Sequence, residues 1–207
     1  MTAGFIGQVA ASELGEPVTD EVRTLIRTAL NEDLRYGPDV TSVATVPADA
    51  VTDAAIVSRG DGVIAGVPVV LAVFDEVIGA GNYTVTAQVA DGTRVGRGDV
   101  VLAVHAPTRA LLTAERTALN LICHLSGIAT TTAEWVTELA GTSAKVRDSR
   151  KTLPGLRSLQ KYAVRAGGGV NHRLGLGDAA LIKDNHVAAA GSVSAALNAV
   201  RAAAPDI

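Results

Sequence analysis

After Gly141 the chain settles into short apolar runs separated by helical stretches, and that alternation narrows the possible folds more than any other feature. Lys145–Asp148 reads as a strand, Pro154–Arg165 as a helix and Gly167–Gly169 as a turn. Ala179–Lys183 reads as a second strand and Ser192–Ala203 as a second helix, and Ile207 has the look of a third strand beginning. Such alternation builds a parallel sheet or barrel, because each helix crosses over to return the chain in the same direction. A β/α unit takes about 30 residues, and a closed barrel needs about eight strands. Residues 145–207 number 63, enough for about two units. The barrel is therefore expected to be incomplete, with the chain stopping mid-fold.

The first half follows another pattern. Thr19-Asp20 can cap a helix that puts Val22, Leu25, Ile26, Ala29 and Leu30 on one face, and Gly37-Pro38-Asp39 ends it. Residues 53–58 and 62–65 read as short strands, and 67–78 as an apolar helix stopped by Gly79. Tyr83, Val85, Ala87 and Val89 alternate at period two, Asp91-Gly92 signals a hairpin, and Val100–Val104 forms the next strand. An antiparallel sheet with helices on it is expected over residues 1–110, and the linking helices and β/α segment over 111–207. Residues 111–125 carry two apolar stripes, Leu111, Ala114, Ala118, Leu121, Ile122 and Leu125 on one side and Leu112, Leu119 and Cys123 on another. A helix apolar on two sides is buried between layers or between subunits. Gly127 is expected to break it before a further helix at 131–139. With aromatics at only 3%, the cores must be built from Ala, Val, Leu and Ile.

The charge is unevenly spread. Residues 145–186 hold nine Lys and Arg against three Asp, a window of +6 in a chain of net charge -3. Scarce aromatics and an acidic remainder argue against nucleic acid and for a small, strongly anionic ligand. The lone Cys123 cannot form an internal disulfide and is expected in the core, which suits a reducing cytoplasm. Met1–Ser12 lacks the features of a signal peptide, and no apolar run approaches the roughly 20 residues of a membrane span.

Three basic segments carry the candidate chemistry. Asp148-Ser149-Arg150-Lys151-Thr152-Leu153-Pro154 follows a strand and opens a helix, where free N–H groups and two cations suit an anion. A solvated basic turn with a salt bridge to Asp148 is the plainer alternative. Gly167-Gly168-Gly169 ends a helix and permits positive φ or close backbone approach, and Asn171, His172 and Arg173 follow at once. They form either a ligand-facing segment or a flexible cap with an exposed His-Arg pair. Lys183 ends an apolar run, either at a site or reaching to water. His186 acquires no role from the pattern. Arg116, beside the second stripe of its helix and one turn before Asn120, is either structural or a substrate ligand.

Taken together, DSRKTLPGLR, KYAVRAGGGVNHRLGLGDAALIKDNH and LTAERTALNLICHLSG resemble the quinolinate phosphoribosyltransferase family, in order and from Gly37-Pro38-Asp39-Val40-Thr41-Ser42 to the end of the chain. The family usually has Thr where this chain has Ser149, which keeps the hydroxyl. The resemblance implies an α/β fold: an N-terminal α/β sandwich with an antiparallel sheet, then the first part of an incomplete β/α barrel, assembled as a homodimer. It implies quinolinate contacts at Ser149, Arg150, Lys151, His172, Arg173 and Lys183, with Lys151 also the catalytic candidate and Arg116 reaching in from the partner subunit. The implied reaction joins quinolinate to phosphoribosyl pyrophosphate, with loss of carbon dioxide, and yields nicotinate mononucleotide and pyrophosphate. Mg²⁺ would accompany the sugar phosphate, on acidic residues beyond position 207, so no metal ligand is assigned here and the 207-residue chain alone is expected to be inactive. The alternatives are the molybdenum-transport-associated relative of the same fold, a truncated anion-binding protein without catalysis, and a nucleic-acid module. No nucleic-acid or membrane partner is expected.

Overall fold

The computed structural model describes residues 14–207, so the reading of Met1–Ser12 lies outside the described residues. Helix α1 (Asp20–Leu34) begins where Thr19 accepts from the Val22 amide, with Asp20 and Glu21 facing the positive end of the helix. It buries Val22, Ile26 and Leu30, one residue per turn. Asp39 caps the short α2 (Val40–Thr45) through the Ser42 amide and hydroxyl, and those bonds hold its carboxyl below the usual carboxylate range.

Strands β1 (Val51–Val57), β3 (Thr84–Gln88) and β5 (Val100–Pro107) form an antiparallel sheet in the order β1-β5-β3. Central β5 is the best buried because it has a neighbour on each side. The short β2 (Gly62–Val63) and β4 (Arg94–Val95) pair separately. Asp91-Gly92 therefore does not close a simple hairpin, since β4 intervenes before the chain returns in β5. The Asp91 side chain is buried and faces α3 (Val67–Val77), where it accepts from the amides of Gly66 (2.8 Å) and Val67 (3.0 Å). A carboxylate distant in sequence thus caps a helix whose own N-cap, Gly66, has no side chain. Gly66 is required there, because its φ is +109° and a Cβ would lie 2.9 Å from Leu125 Cδ1.

Residues 108–138 form one helix, α4 (Thr108–Glu138), with no break at Gly127. One interior glycine costs a helix about 1 kcal/mol. Leu125, Ala129 and Ala133 are buried on either side of it, and their packing outweighs that cost. Helix α4 packs against α3 and, further along, α5 (Arg157–Ala166). Its Thr130 and Ser126 hydroxyls accept from the amides of Val63 and Ala65. The hydrophobic core is continuous from α1 through α3, β5 and α4 to α5. The second stripe is only partly covered: Leu119 packs against the core, but Leu112 and Cys123 are exposed, so Cys123 is not the core residue expected.

The β/α segment is sparser than the alternation predicts. Arg147 and Val170 form an isolated parallel bridge with α5 as the crossover between them, so the second extended run begins at Val170 rather than Ala179. Residues 179–183 are not a strand. A parallel strand exists only against a hydrogen-bonded neighbour, and this run has none among the described residues. The short helix α6 (Asp184–Ala190) and α7 (Val193–Ala203) follow, the latter capped by Ser192 accepting from the Ala195 amide. No closed barrel forms among the described residues.

Candidate functional site

Two basic segments meet around Asp148. Its Oδ1 accepts from Lys161 Nζ and from the His172 amide, both at 2.6 Å, and its Oδ2 accepts from Asn171 Nδ2 at 2.6 Å. Lys161 is fully buried on α5 and also donates to the His172 carbonyl (2.9 Å). Asn171 donates to the Lys161 carbonyl and accepts from Arg165, whose other arm reaches the Leu14 carbonyl. Arg165 lies over the ring of Tyr162, and the Tyr162 hydroxyl donates to Asp91 (2.7 Å). Burial and the negative charge of Asp91 push the Tyr162 hydroxyl far above the usual tyrosine range. A chain of buried and half-buried contacts thus joins the helix cap at Asp91 to the segment carrying His172.

The triple glycine serves this junction. Gly168 has φ +86°, and a Cβ on Gly167 would run into the Ala129 carbonyl and the side chain of Thr132 on α4. Close approach to α4 lets the chain turn tightly enough for Val170 to bridge Arg147.

The candidate residues divide into two groups. Ser149 accepts from the Lys151 amide (3.1 Å) and closes a small turn that presents Arg150 and an exposed Lys151. Arg150 is half-buried, and its Nε is buried with no hydrogen-bond partner among the described residues. His172 Nδ1 accepts from the Arg173 amide (2.8 Å), so the hydrogen of the neutral ring sits on Nε2. Arg173 donates to the Ala179 carbonyl (2.8 Å). Those five residues lie on the two adjoining segments. Lys183 and Arg116 are not joined to them by a hydrogen bond among the described residues. Lys183 is exposed at the N-cap of α6, where His186 Nδ1 accepts from its amide (3.0 Å), a capping role the sequence pattern left blank. Arg116 is exposed on α4, in a cleft of about 730 Å³ that it shares with Asp61, Asn120 and Cys123.

Sequence reasoning missed the supports. Arg157, counted only as part of the charge, donates to Thr152 in one basic segment and to the Leu174 carbonyl after the other. Asp178 accepts from the Leu174 and Gly175 amides, and these bonds hold its carboxyl below the usual range. Gln160 accepts from the Leu153 amide, so its amide nitrogen is the donor toward His124 Nε2 on α4 (2.8 Å). Among the described residues no cluster of three or more His, Cys, Asp or Glu is placed to hold a metal ion.

Comparison with known proteins decides the family. Residues 39–126 match the quinolinate phosphoribosyl transferase N-terminal domain, and residues 128–207 match its C-terminal domain. The chain belongs to the quinolinate phosphoribosyltransferase family. It is 64% identical over 188 residues to nicotinate-nucleotide pyrophosphorylase [carboxylating] of Mycobacterium leprae, covering 91% of this chain and 66% of that protein. It is 40% identical to quinolinate phosphoribosyltransferase [decarboxylating] 1b of Nicotiana tabacum, covering 88% of this chain and 51% of that protein. Among solved structures, NadC from Streptococcus pyogenes superposes with a TM-score of 0.86 at 40% identity, over 93% of this chain and 68% of that one. The chain thus spans between half and two thirds of the length of these curated relatives. Family membership accounts for the order of the basic segments along the chain.

Proposed function

We propose that the protein of which this chain is part or whole transfers phosphoribosyl from phosphoribosyl pyrophosphate to quinolinate with decarboxylation. The products are nicotinate mononucleotide, pyrophosphate and carbon dioxide. The observation that carries this reading is the buried, unpartnered Nε of Arg150 on the segment that Asp148 ties to His172. A buried guanidinium donor with no acceptor is costly and is relieved by an anion. Quinolinate brings two carboxylates, and Arg150, Lys151, Arg173 and the Nε2–H of His172 are the donors offered to them. Holding both carboxylates would aim the ring nitrogen at the anomeric carbon of the sugar, where pyrophosphate leaves. The pyridinium so formed accepts the electron pair released when the 2-carboxylate departs. Lys151, exposed beside Arg150, is the group proposed to balance charge during that sequence.

Mg²⁺ belongs to this reading as the counter-ion of the sugar phosphate. The described residues offer it no carboxylate cluster. We further place the protein in the cytoplasm as a homodimer in which Arg116 serves the partner's pocket. The exposed Leu112 and Cys123 of the second stripe of α4 and the exposure of Arg116 support that arrangement. Among the described residues no helix is long and apolar enough to cross a membrane.

Calorimetry with quinolinate and with nicotinate, which lacks the second carboxylate, tests the pocket. Quinolinate is expected to bind at least about tenfold more tightly, as one further charge-assisted contact predicts. Equal affinity for the two would rule out a dicarboxylate pocket.

A further inference from the structure

The Lys161–Asp148 pair does something that burial alone does not require. The two side chains are 1% and 7% exposed, and they grip the backbone of His172 from both sides. Asp148 accepts from its N–H at 2.6 Å, and Lys161 donates to its C=O at 2.9 Å. The next amide, that of Arg173, then fixes the imidazole through Nδ1. Replacing a buried ion pair by apolar side chains is often neutral or stabilising, so stability gives little reason for one here. Geometry does. Both Asp148 oxygens are engaged by the protein itself, Oδ1 by Lys161 and the His172 amide and Oδ2 by Asn171, so the carboxylate is committed to holding this junction together.

We propose that Asp148 and Lys161 are positioning residues, a charge-balanced bracket that holds His172 and Arg173 in register with Ser149, Arg150 and Lys151. The bracket acts through His172, whose ring it presents with the hydrogen on Nε2, and touches no substrate itself. The proposal rests on the reading of this pocket as the quinolinate site. Separation along the chain hides the bracket from the sequence: Asp148 precedes Lys161 by 13 residues and His172 by 24, with a loop and a helix between.

The test uses the full-length gene product with two variants, Asp148→Asn and Asp148→Asn/Lys161→Met. The single variant leaves Lys161 without its counter-charge and offers one acceptor to three donors. The double variant removes both charges, so it keeps the test open if the single variant fails to fold. In either, KM for quinolinate is expected to rise roughly tenfold or more, as loss of a charge-assisted contact predicts, while KM for phosphoribosyl pyrophosphate stays within about twofold. In ¹⁵N-histidine spectra the His172 signal, assigned by its loss in His172→Gln, is expected to lose its Nε2–H signature. A lower active fraction with unchanged quinolinate KM and an unchanged His172 signal would overturn the proposal, leaving the pair merely structural. If the unsubstituted protein does not turn over quinolinate, the functional reading falls instead, and the His172 signal alone decides the bracket.

Discussion

Arg173 and Asp148 differ in how visible they are from sequence, and the reason is physical. Arg173 belongs to a run of unusual residues, Asn171-His172-Arg173 after three glycines, where composition alone marks a special backbone. Asp148 and Lys161 look like any solvated acid and base, since burial depends on which segments meet and not on the residues themselves. Sequence therefore reaches the donors proposed to face a ligand and misses the groups behind them. Ser149 illustrates a middle case: its hydroxyl is legible as a candidate, but its bond to the Lys151 amide exists only in the folded turn. At this scale, Arg173→Ala is expected to weaken quinolinate binding by about 1.5–3 kcal/mol, the worth of a hydrogen bond to a charged group. Calorimetry reads it directly, and an unchanged affinity would take Arg173 out of the pocket. The bond from Arg173 to the Ala179 carbonyl adds a cost in order of the following loop, visible as a change in binding entropy.

Helices and strands are legible wherever a periodic pattern meets a local cap, as in α1 with Thr19 and α7 with Ser192. Where a partner distant in sequence decides the outcome, the pattern misleads. Asp91-Gly92 looks like a hairpin turn, yet Asp91 is committed to the N-terminus of α3 and to Tyr162 of α5. Gly127 looks like a helix stop, yet the buried face of α4 carries the helix through it. The run at 179–183 has a strand's composition without a neighbour to pair with among the described residues. The Asp91–Tyr162 contact gives an element-scale prediction. Tyr162→Phe should cost about 1.5 kcal/mol, the lower end for a hydrogen bond to a charged acceptor, measured as a lowered urea midpoint. The folded state holds the Tyr162 hydroxyl protonated well above its unfolded value of about 10, so the contact is fully present below that pH and is lost as pH climbs through the alkaline range. Tyr83, pushed up to about 12 by burial and by Asp75, behaves in the same direction. The alkaline loss of stability should therefore be shallower in Tyr162→Phe than in the parent. An identical slope would mean that Tyr162 is not the group being titrated.

For the molecule as a whole, the uneven charge is the most informative quantity. A +6 window inside a chain of net charge -3 points to a compact anion on composition alone, and the fold gathers five of the seven candidate residues on two adjoining segments. Lys183 and Arg116 stand apart, and Arg116 alone is proposed to serve a pocket of a second copy of the molecule. The shared-site proposal predicts that Arg116→Ala and Arg150→Ala, each impaired alone, recover partial activity when their subunits are exchanged in the full-length protein. One of the two pockets in the mixed dimer regains every ligand. Absence of recovery after verified exchange would return Arg116 to a structural role in the cleft it shares with Asp61 and Asn120. The central claim, that this fold works as a decarboxylating phosphoribosyl transferase on quinolinate, is tested most directly by following quinolinate labelled in its 2-carboxylate. Supplied with phosphoribosyl pyrophosphate and Mg²⁺, the full-length protein should release labelled carbon dioxide in equal amount to nicotinate mononucleotide, and only when both substrates are present. Mononucleotide that retains the label, or no turnover at all by a folded protein, would contradict it.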